Sequence, residues 1–132
     1  MTSAENPTEP VPARMREPRS SRTLHGRATG ASAIRDVIHS FRSPIARAYS
    51  RVRFAIVRQP FLEEIGQYLP DSGDVLDLGC GFGLFSLFYA MTKPGLQIVA
   101  VDLDPGRVAA ATASAEYLEL TNVAYEASDV TT

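Results

Sequence analysis

The stretch Val75 to Leu87, VLDLGCGFGLFSL, constrains the fold of this chain more than any other. A short apolar run, three glycines at alternate positions and a second apolar run read as strand, tight turn and helix. Glycine lacks a Cβ, so Gly79, Gly81 and Gly83 permit positive φ and close approach of a ligand to the backbone. The run Val75 to Leu78, ended by Gly79, has the character of a strand buried on both faces, as in a parallel sheet.

The downstream sequence repeats the alternation. Phe82 to Met91 predicts an apolar helix stopped by Lys93-Pro94-Gly95, and Leu96 to Val101 a second buried strand that ends in acids. Pro105 opens an Ala-rich helix running to about Leu120, and Asn122 to Glu126 reads as a short third strand. Strand and helix in alternation predict an α/β fold, a Rossmann-like doubly wound parallel sheet with right-handed crossovers. With about three strands, that sheet is incomplete.

Upstream the period is helical. Ile34, Val37, Ile38 and Phe41 fall at i, i+3, i+4 and i+7, and Ile45, Ala48, Tyr49, Val52 and Ile56 continue the stripe beyond Ser43-Pro44. There Ser caps a new helix and Pro takes its first position. After Gln59-Pro60, Phe61, Leu62, Ile65, Tyr68 and Leu69 again share a face. Residues 34–70 therefore predict two or three amphipathic helices that lay these stripes on a core. Arg42, Arg47, Arg51 and Arg58 stay mostly in water, and packing is favoured over a membrane-surface role.

The net charge of −2 conceals two unlike halves. Residues 1–60 carry eleven Arg against Glu5, Glu9, Glu17 and Asp36, a balance of +7; residues 61–132 carry Lys93 and Arg107 against eleven acids, a balance of −9. Residues 1–33, rich in Pro, Ser, Thr, Arg and Gly, hold too few large apolar side chains to offset the entropy of ordering, and predict a disordered basic tail. Its three Glu argue against a transit peptide, and without interleaved aromatics it gives no indication of nucleic-acid binding.

At 132 residues, 45% hydrophobic and 21% charged, the chain has room for one soluble domain. No apolar run is long enough to span a bilayer, and no secretory signal opens the sequence, so a cytoplasmic location is expected. Cys80, the single cysteine, has no internal partner for a disulfide.

In a doubly wound sheet, ligands bind at the carboxyl ends of the strands, where the glycine loop lies. Asp102 closes the second strand about twenty residues later, placed to accept from both hydroxyls of a ribose. Together these features specify an adenosine-type ligand. The dinucleotide fingerprint would require Gly or Ala at position 84, where Leu84 stands, and the third glycine comes one place early. Asp77, two residues before the first glycine, suits a cationic group better than a pyrophosphate.

DLGCGFG resembles motif I, D/E-x-G-x-G-x-G, of the class I S-adenosylmethionine-dependent methyltransferases, and the resemblance extends over roughly residues 60–132. It implies S-adenosyl-L-methionine as cofactor and methyl transfer as activity. Asp77 would then lie near the ammonium of the methionine part, with Gly79, Cys80, Gly81 and Gly83 lining the turn beneath it. Asp102 matches the acid that holds the ribose hydroxyls, and Leu103 the apolar residue beside the adenine. Asp129, with Ser128 beside it, matches the acidic residue that receives the adenine amino group. No metal ligand and no catalytic base is identified, and the methyl acceptor stays open.

Asp104, next to Pro105, reads as a helix cap rather than a ligand residue. Cys80 reads as a small packing residue, because His25 and His39 both precede it and no base follows. Tyr117, Tyr125 and Phe82 read as core or pocket lining.

The family's sheet has seven strands, with the fourth beside the first. The sequence here reaches only the third, so the domains expected are a tail (1–33), amino-terminal helices (34–70) and a partial methyltransferase domain (71–132). A fragment of a longer enzyme is the expectation, its first strand left with an open edge through which it would associate. Such a chain is expected to be marginally stable and catalytically weak; a cooperative melt together with measurable methyl transfer by the isolated chain would refute this. Two alternatives are an NAD(P)-dependent oxidoreductase module, opposed by Leu84 and Asp77, and a non-catalytic binding module.

Overall fold

The structure, a computed structural model, describes residues 29–129. The tail expected over residues 1–33 lies outside that range except for its last five residues, which cap and begin the first helix. Helix α1 spans Gly30–Ser40; the Thr29 hydroxyl caps it by accepting from the Ser32 amide at 3.3 Å. Ala33 is wholly buried, so the helix starts four residues ahead of the stripe that opens at Ile34. The cap and the small side chain, not the large apolar ones, set that boundary.

Helix α2, Pro44–Ile56, begins as expected, with the Ser43 side chain accepting from the Ala46 amide and Pro44 in the first turn. The face it buries is not the expected one. Ala46, Ser50 and Phe54 point inward, while Ile45, Tyr49, Val52 and Ile56 are turned to solvent. Small Ala46 and Ser50, the latter donating to the Ala46 carbonyl at 2.6 Å, let α2 approach α1, and Phe54 anchors its far end. Close approach between helices selects the small side chains over the larger stripe. Helix α3, Gln59–Gly66, buries Leu62 fully, whereas Phe61, Ile65 and Tyr68 are exposed and Leu69 is half-buried. The Tyr89 hydroxyl donates to the Leu62 carbonyl at 2.7 Å and ties α3 to the rest.

From there strand and helix alternate: β1 Ser72–Leu78, α4 Leu84–Thr92, β2 Gly95–Asp102, α5 Pro105–Tyr117 and β3 Val123–Ala127. Asp104 caps α5 as expected, accepting from the Gly106 amide at 2.8 Å. The sheet is parallel, in the order β1-β2-β3, with Leu78 opposite Val101 and Asp102 opposite Ala127. Helices α4 and α5 pack against the sheet and α1 lies across both of them, around a core centred on Phe88, Leu87, Leu62, Leu96 and Val37. This is a Rossmann-like α/β arrangement, as the alternation predicts.

Two-sided burial of β1 is not seen. Val75 and Asp77 are half-buried, but Leu76 and Leu78, on the opposite face by the two-residue period of a strand, are exposed. Among the described residues β1 pairs only with β2, so its other edge is free. Beside that edge, Leu62, Ile65, Leu69, Val75 and Phe85 line an open apolar groove of about 260 Å³. No helix of the described residues is long and apolar enough to cross a membrane.

The contrast between core and stripe is measurable by urea denaturation. Leu87→Ala, at a wholly buried position, is expected to cost about 2–5 kcal/mol. Val52→Ala, on the exposed stripe, should stay within about 0.5 kcal/mol of the parent.

Candidate functional site

β1 runs directly into the glycine loop, and the carboxyl end of β2 holds that loop from beside it. The Val101 carbonyl accepts from the amides of both Gly79 and Cys80, at 2.8 and 2.9 Å, so the first loop residues continue the ladder. The Gly83 amide then donates to the Cys80 carbonyl at 2.9 Å and closes a tight turn. All three glycines have positive φ, between 59° and 78°. A Cβ on Gly79 or Gly81 would stand in open space, so these two leave the loop's backbone uncovered.

Gly83 is required for a second reason. Its Cβ would come within 2.7 Å of the Tyr125 hydroxyl oxygen. That oxygen lies 2.8 Å from Ser86 Oγ, which itself donates to the Gly83 carbonyl at 3.1 Å, and the Tyr125 hydroxyl reaches the same carbonyl at 3.4 Å. Tyr125 of β3 thus braces the turn from the side. Sequence reasoning assigns Tyr125 to lining and does not single out Ser86; a hydroxyl two positions into a helix that follows glycines is the only local sign. Tyr117, also read as lining, is exposed instead.

Asp102 holds the loop from the front. Its Oδ2 accepts from the Gly81 amide and its Oδ1 from the Asp104 amide, both at 2.9 Å. Those amides favour the carboxylate and keep its pKa below the ordinary value. Asp77 is the opposite case: burial raises its pKa, and no hydrogen-bond partner answers its carboxyl among the described residues. A half-buried acid without a partner carries its charge at a cost, which a cation beside it would relieve.

Leu103 follows Asp102 and is exposed. The Ser128 amide donates to the Asp102 carbonyl at 2.9 Å, which brings the end of β3 to the same rim; Asp129, exposed, comes next. The structure therefore gathers Asp77, the glycine loop, Asp102, Leu103 and Ser128 along one end of the sheet. Phe82, between two glycines, meets Phe41 and Tyr49 at ring-centroid distances of 6.1 and 5.3 Å. Leu84, at the position that separates the two ligand classes, is buried as the first residue of α4.

A glycine turn after one strand, clamped by the acid that ends the next, defines this chain as a Rossmann-like domain of the methyltransferase kind. It belongs to the methyltransferase small domain family, whose model matches residues 46–132. Among solved structures it is similar to coclaurine N-methyltransferase bound to N-methylheliamine and SAH, with 27% identity and a TM-score of 0.52. The likeness covers 55% of this chain and 22% of that one, so the chain spans less than a quarter of that relative's length. No curated protein matches it. Family membership implies S-adenosylmethionine as the cofactor, and the uncovered loop backbone and the unanswered Asp77 carboxyl fit such a group.

Cys80 is not equipped as a nucleophile. Burial, then the charges of Asp77 and Asp102, push its thiol up to about 11 from an ordinary 9.0. Its Sγ lies 3.6 Å from the Gly81 carbonyl. Alkylation by iodoacetamide at pH 8 should therefore run about a hundredfold slower than for an unperturbed thiol, and accelerate until about pH 11. A rate equal to that of a free thiol, followed by mass spectrometry, would contradict this placement.

Proposed function

We propose that this chain binds S-adenosylmethionine across the carboxyl ends of β1, β2 and β3 and serves the transfer of its methyl group to an acceptor. The observation that carries this reading is the Asp102 carboxylate, fixed by two backbone amides at 2.9 Å. Each of its oxygens keeps a lone pair for one further donor, and a ribose offers two adjacent hydroxyls. Leu103 offers apolar surface to the adenine, and Ser128 and Asp129 polar groups to its amino edge. Asp77 is paired with the ammonium of the methionine part, and Gly79, Cys80, Gly81 and Gly83 form the floor beneath it.

A bound sulfonium supplies a methyl carbon already carrying a good leaving group. The protein's share is then to align that carbon with the acceptor and to exclude water. Asp102 and Asp77 hold the ligand on either side of its sulfur, at the ribose and at the ammonium, and the braced turn fixes the distance between them. Neither Cys80 nor Tyr125 takes a proton from an acceptor at neutral pH: the thiol is already protonated, and burial pushes the Tyr125 phenol well up. The chain acts as the cofactor-binding half of the site. A further strand on the free edge of β1, from Ser72 to Leu78, would bring the groups that face the acceptor.

Calorimetry tests the cofactor. Saturable binding of S-adenosylhomocysteine, roughly micromolar, is expected, with Asp102→Ala weaker by at least about tenfold for the loss of hydrogen bonds to a charged acceptor. Preference for NAD over S-adenosylmethionine would overturn the reading.

Asp77 carries a second test. Its folded-state pKa is raised, so its ionised form opposes folding, and this opposition fades as pH falls through the raised value. Asp77→Asn should therefore raise the Tm at pH 7 while weakening S-adenosylhomocysteine binding. A variant that binds like the parent and melts no higher would remove Asp77 from the site. Asp102 titrates in the other sense: its depressed pKa contributes stability above its ordinary value, lost as pH falls through the depressed one.

A further inference from the structure

We propose that α2 is an interfacial helix that seats this protein on an anionic lipid bilayer. Ile45, Tyr49, Val52 and Ile56 are 81%, 48%, 60% and 69% exposed, although the helix that carries them is packed in place by Ala46, Ser50 and Phe54. At i, i+4, i+7 and i+11 these four side chains fall within an arc of about 60°, along a helix of 13 residues, about 20 Å long. The result is a continuous apolar ridge held rigidly outward, not a set of scattered exposed side chains.

The charge around the ridge identifies what it meets. From Val37 to Leu62 there is no acidic residue, while Arg42, Arg47, Arg51, Arg53 and Arg58 are all exposed. On the helical wheel Arg53 flanks one side of the ridge, its guanidinium 5.8 Å from the centroid of the Phe85 ring, and Arg51 lies on the other side, beyond Ala48 and Ala55. Arg47 stands nearly opposite the ridge and donates to the carbonyls of Phe41 and His39. No carboxylate among the described residues forms a salt bridge with any of these five. Apolar side chains on the ridge and arginines to either side match an acyl boundary beneath anionic headgroups, with the guanidinium groups reaching up to the phosphates. The helix is too short to cross a bilayer and lies on it.

Other occupants fit less well. A second copy docked ridge to ridge would set arginine against arginine. A nucleic acid would answer the arginines through its phosphates but leave the aliphatic ridge in water, and three of the four ridge side chains offer a single strand no ring to stack on. The fourth, Tyr49, is already engaged with Phe82. The proposal does not depend on the cofactor reading, and it uses none of the residues assigned to the cofactor.

The test is flotation of the full chain with vesicles of phosphatidylcholine containing roughly one-third phosphatidylglycerol, against phosphatidylcholine alone. Binding to the anionic vesicles only is expected. It should fall about fivefold for each of Arg51→Gln and Arg53→Gln, and beyond detection in Ile45→Ser/Val52→Ser/Ile56→Ser, with binding of S-adenosylhomocysteine unchanged. The chain contains no Trp, so Ile56→Trp provides a single reporter that keeps the ridge apolar. Its emission should shift to the blue on adding anionic vesicles and be quenched by brominated lipid. Four results would overturn the proposal: no vesicle binding; binding that survives the triple serine variant; a reporter already blue before lipid is added, which places the ridge beneath protein; or salt-dependent RNA binding that depends on the ridge in the absence of vesicle binding.

Discussion

The parallel pairing of β1 with β2 is the contact on which the rest depends. It does not stop where the strands stop: the Val101 carbonyl, at the end of β2, takes the amides of Gly79 and Cys80, and the Asp102 carboxylate takes that of Gly81. The glycine loop is thus an extension of the ladder, shaped by hydrogen bonds rather than by side-chain packing. This explains how a loop of three glycines, which would otherwise carry a large conformational entropy, is held in one form. In the reading proposed above Asp102 serves two purposes, because the carboxylate that fixes the loop is also the one offered to the ribose hydroxyls.

Two acids of the same type behave in opposite ways a short distance apart. Asp102 receives backbone amides and favours its charge; Asp77 receives only desolvation and resists it. The difference lies in the backbone geometry around each, and it separates a residue that stabilises the fold from one whose charge the fold tolerates at a cost. Such unanswered charge is characteristic of sites built for a ligand.

What could be read in the sequence and what could not divides along physical lines. The starts of α2 and α5, the glycine turn and the cap at Asp104 were legible, because each is set by backbone chemistry within a few residues: Ser43-Pro44, Gly79 to Gly83, Asp104-Pro105. The orientation of α2 was not. Its larger stripe and its buried face are both plausible from periodicity, and only the close fit of Ala46 and Ser50 against α1 decides between them. For Leu76 and Leu78, an apolar run looks the same whether one face or both are covered. Ser86 and Tyr125 were missed as a pair because they are 39 residues apart in the chain.

That separation bears on how the site is assembled. The turn between β1 and α4 comes early among the described residues, yet the hydroxyls that brace it come partly from β3, the last strand among them. Closing a segment of that length costs loop entropy that the turn alone cannot repay. Docking of β3 therefore adds a side brace at Gly83 and Ser86 to a turn whose first residues the β1–β2 ladder already directs. A shorter piece of the chain ending before Tyr125 would contain every glycine of the motif and keep the clamps at Val101 and Asp102, yet lose the hydroxyl that steadies the last of those glycines, Gly83.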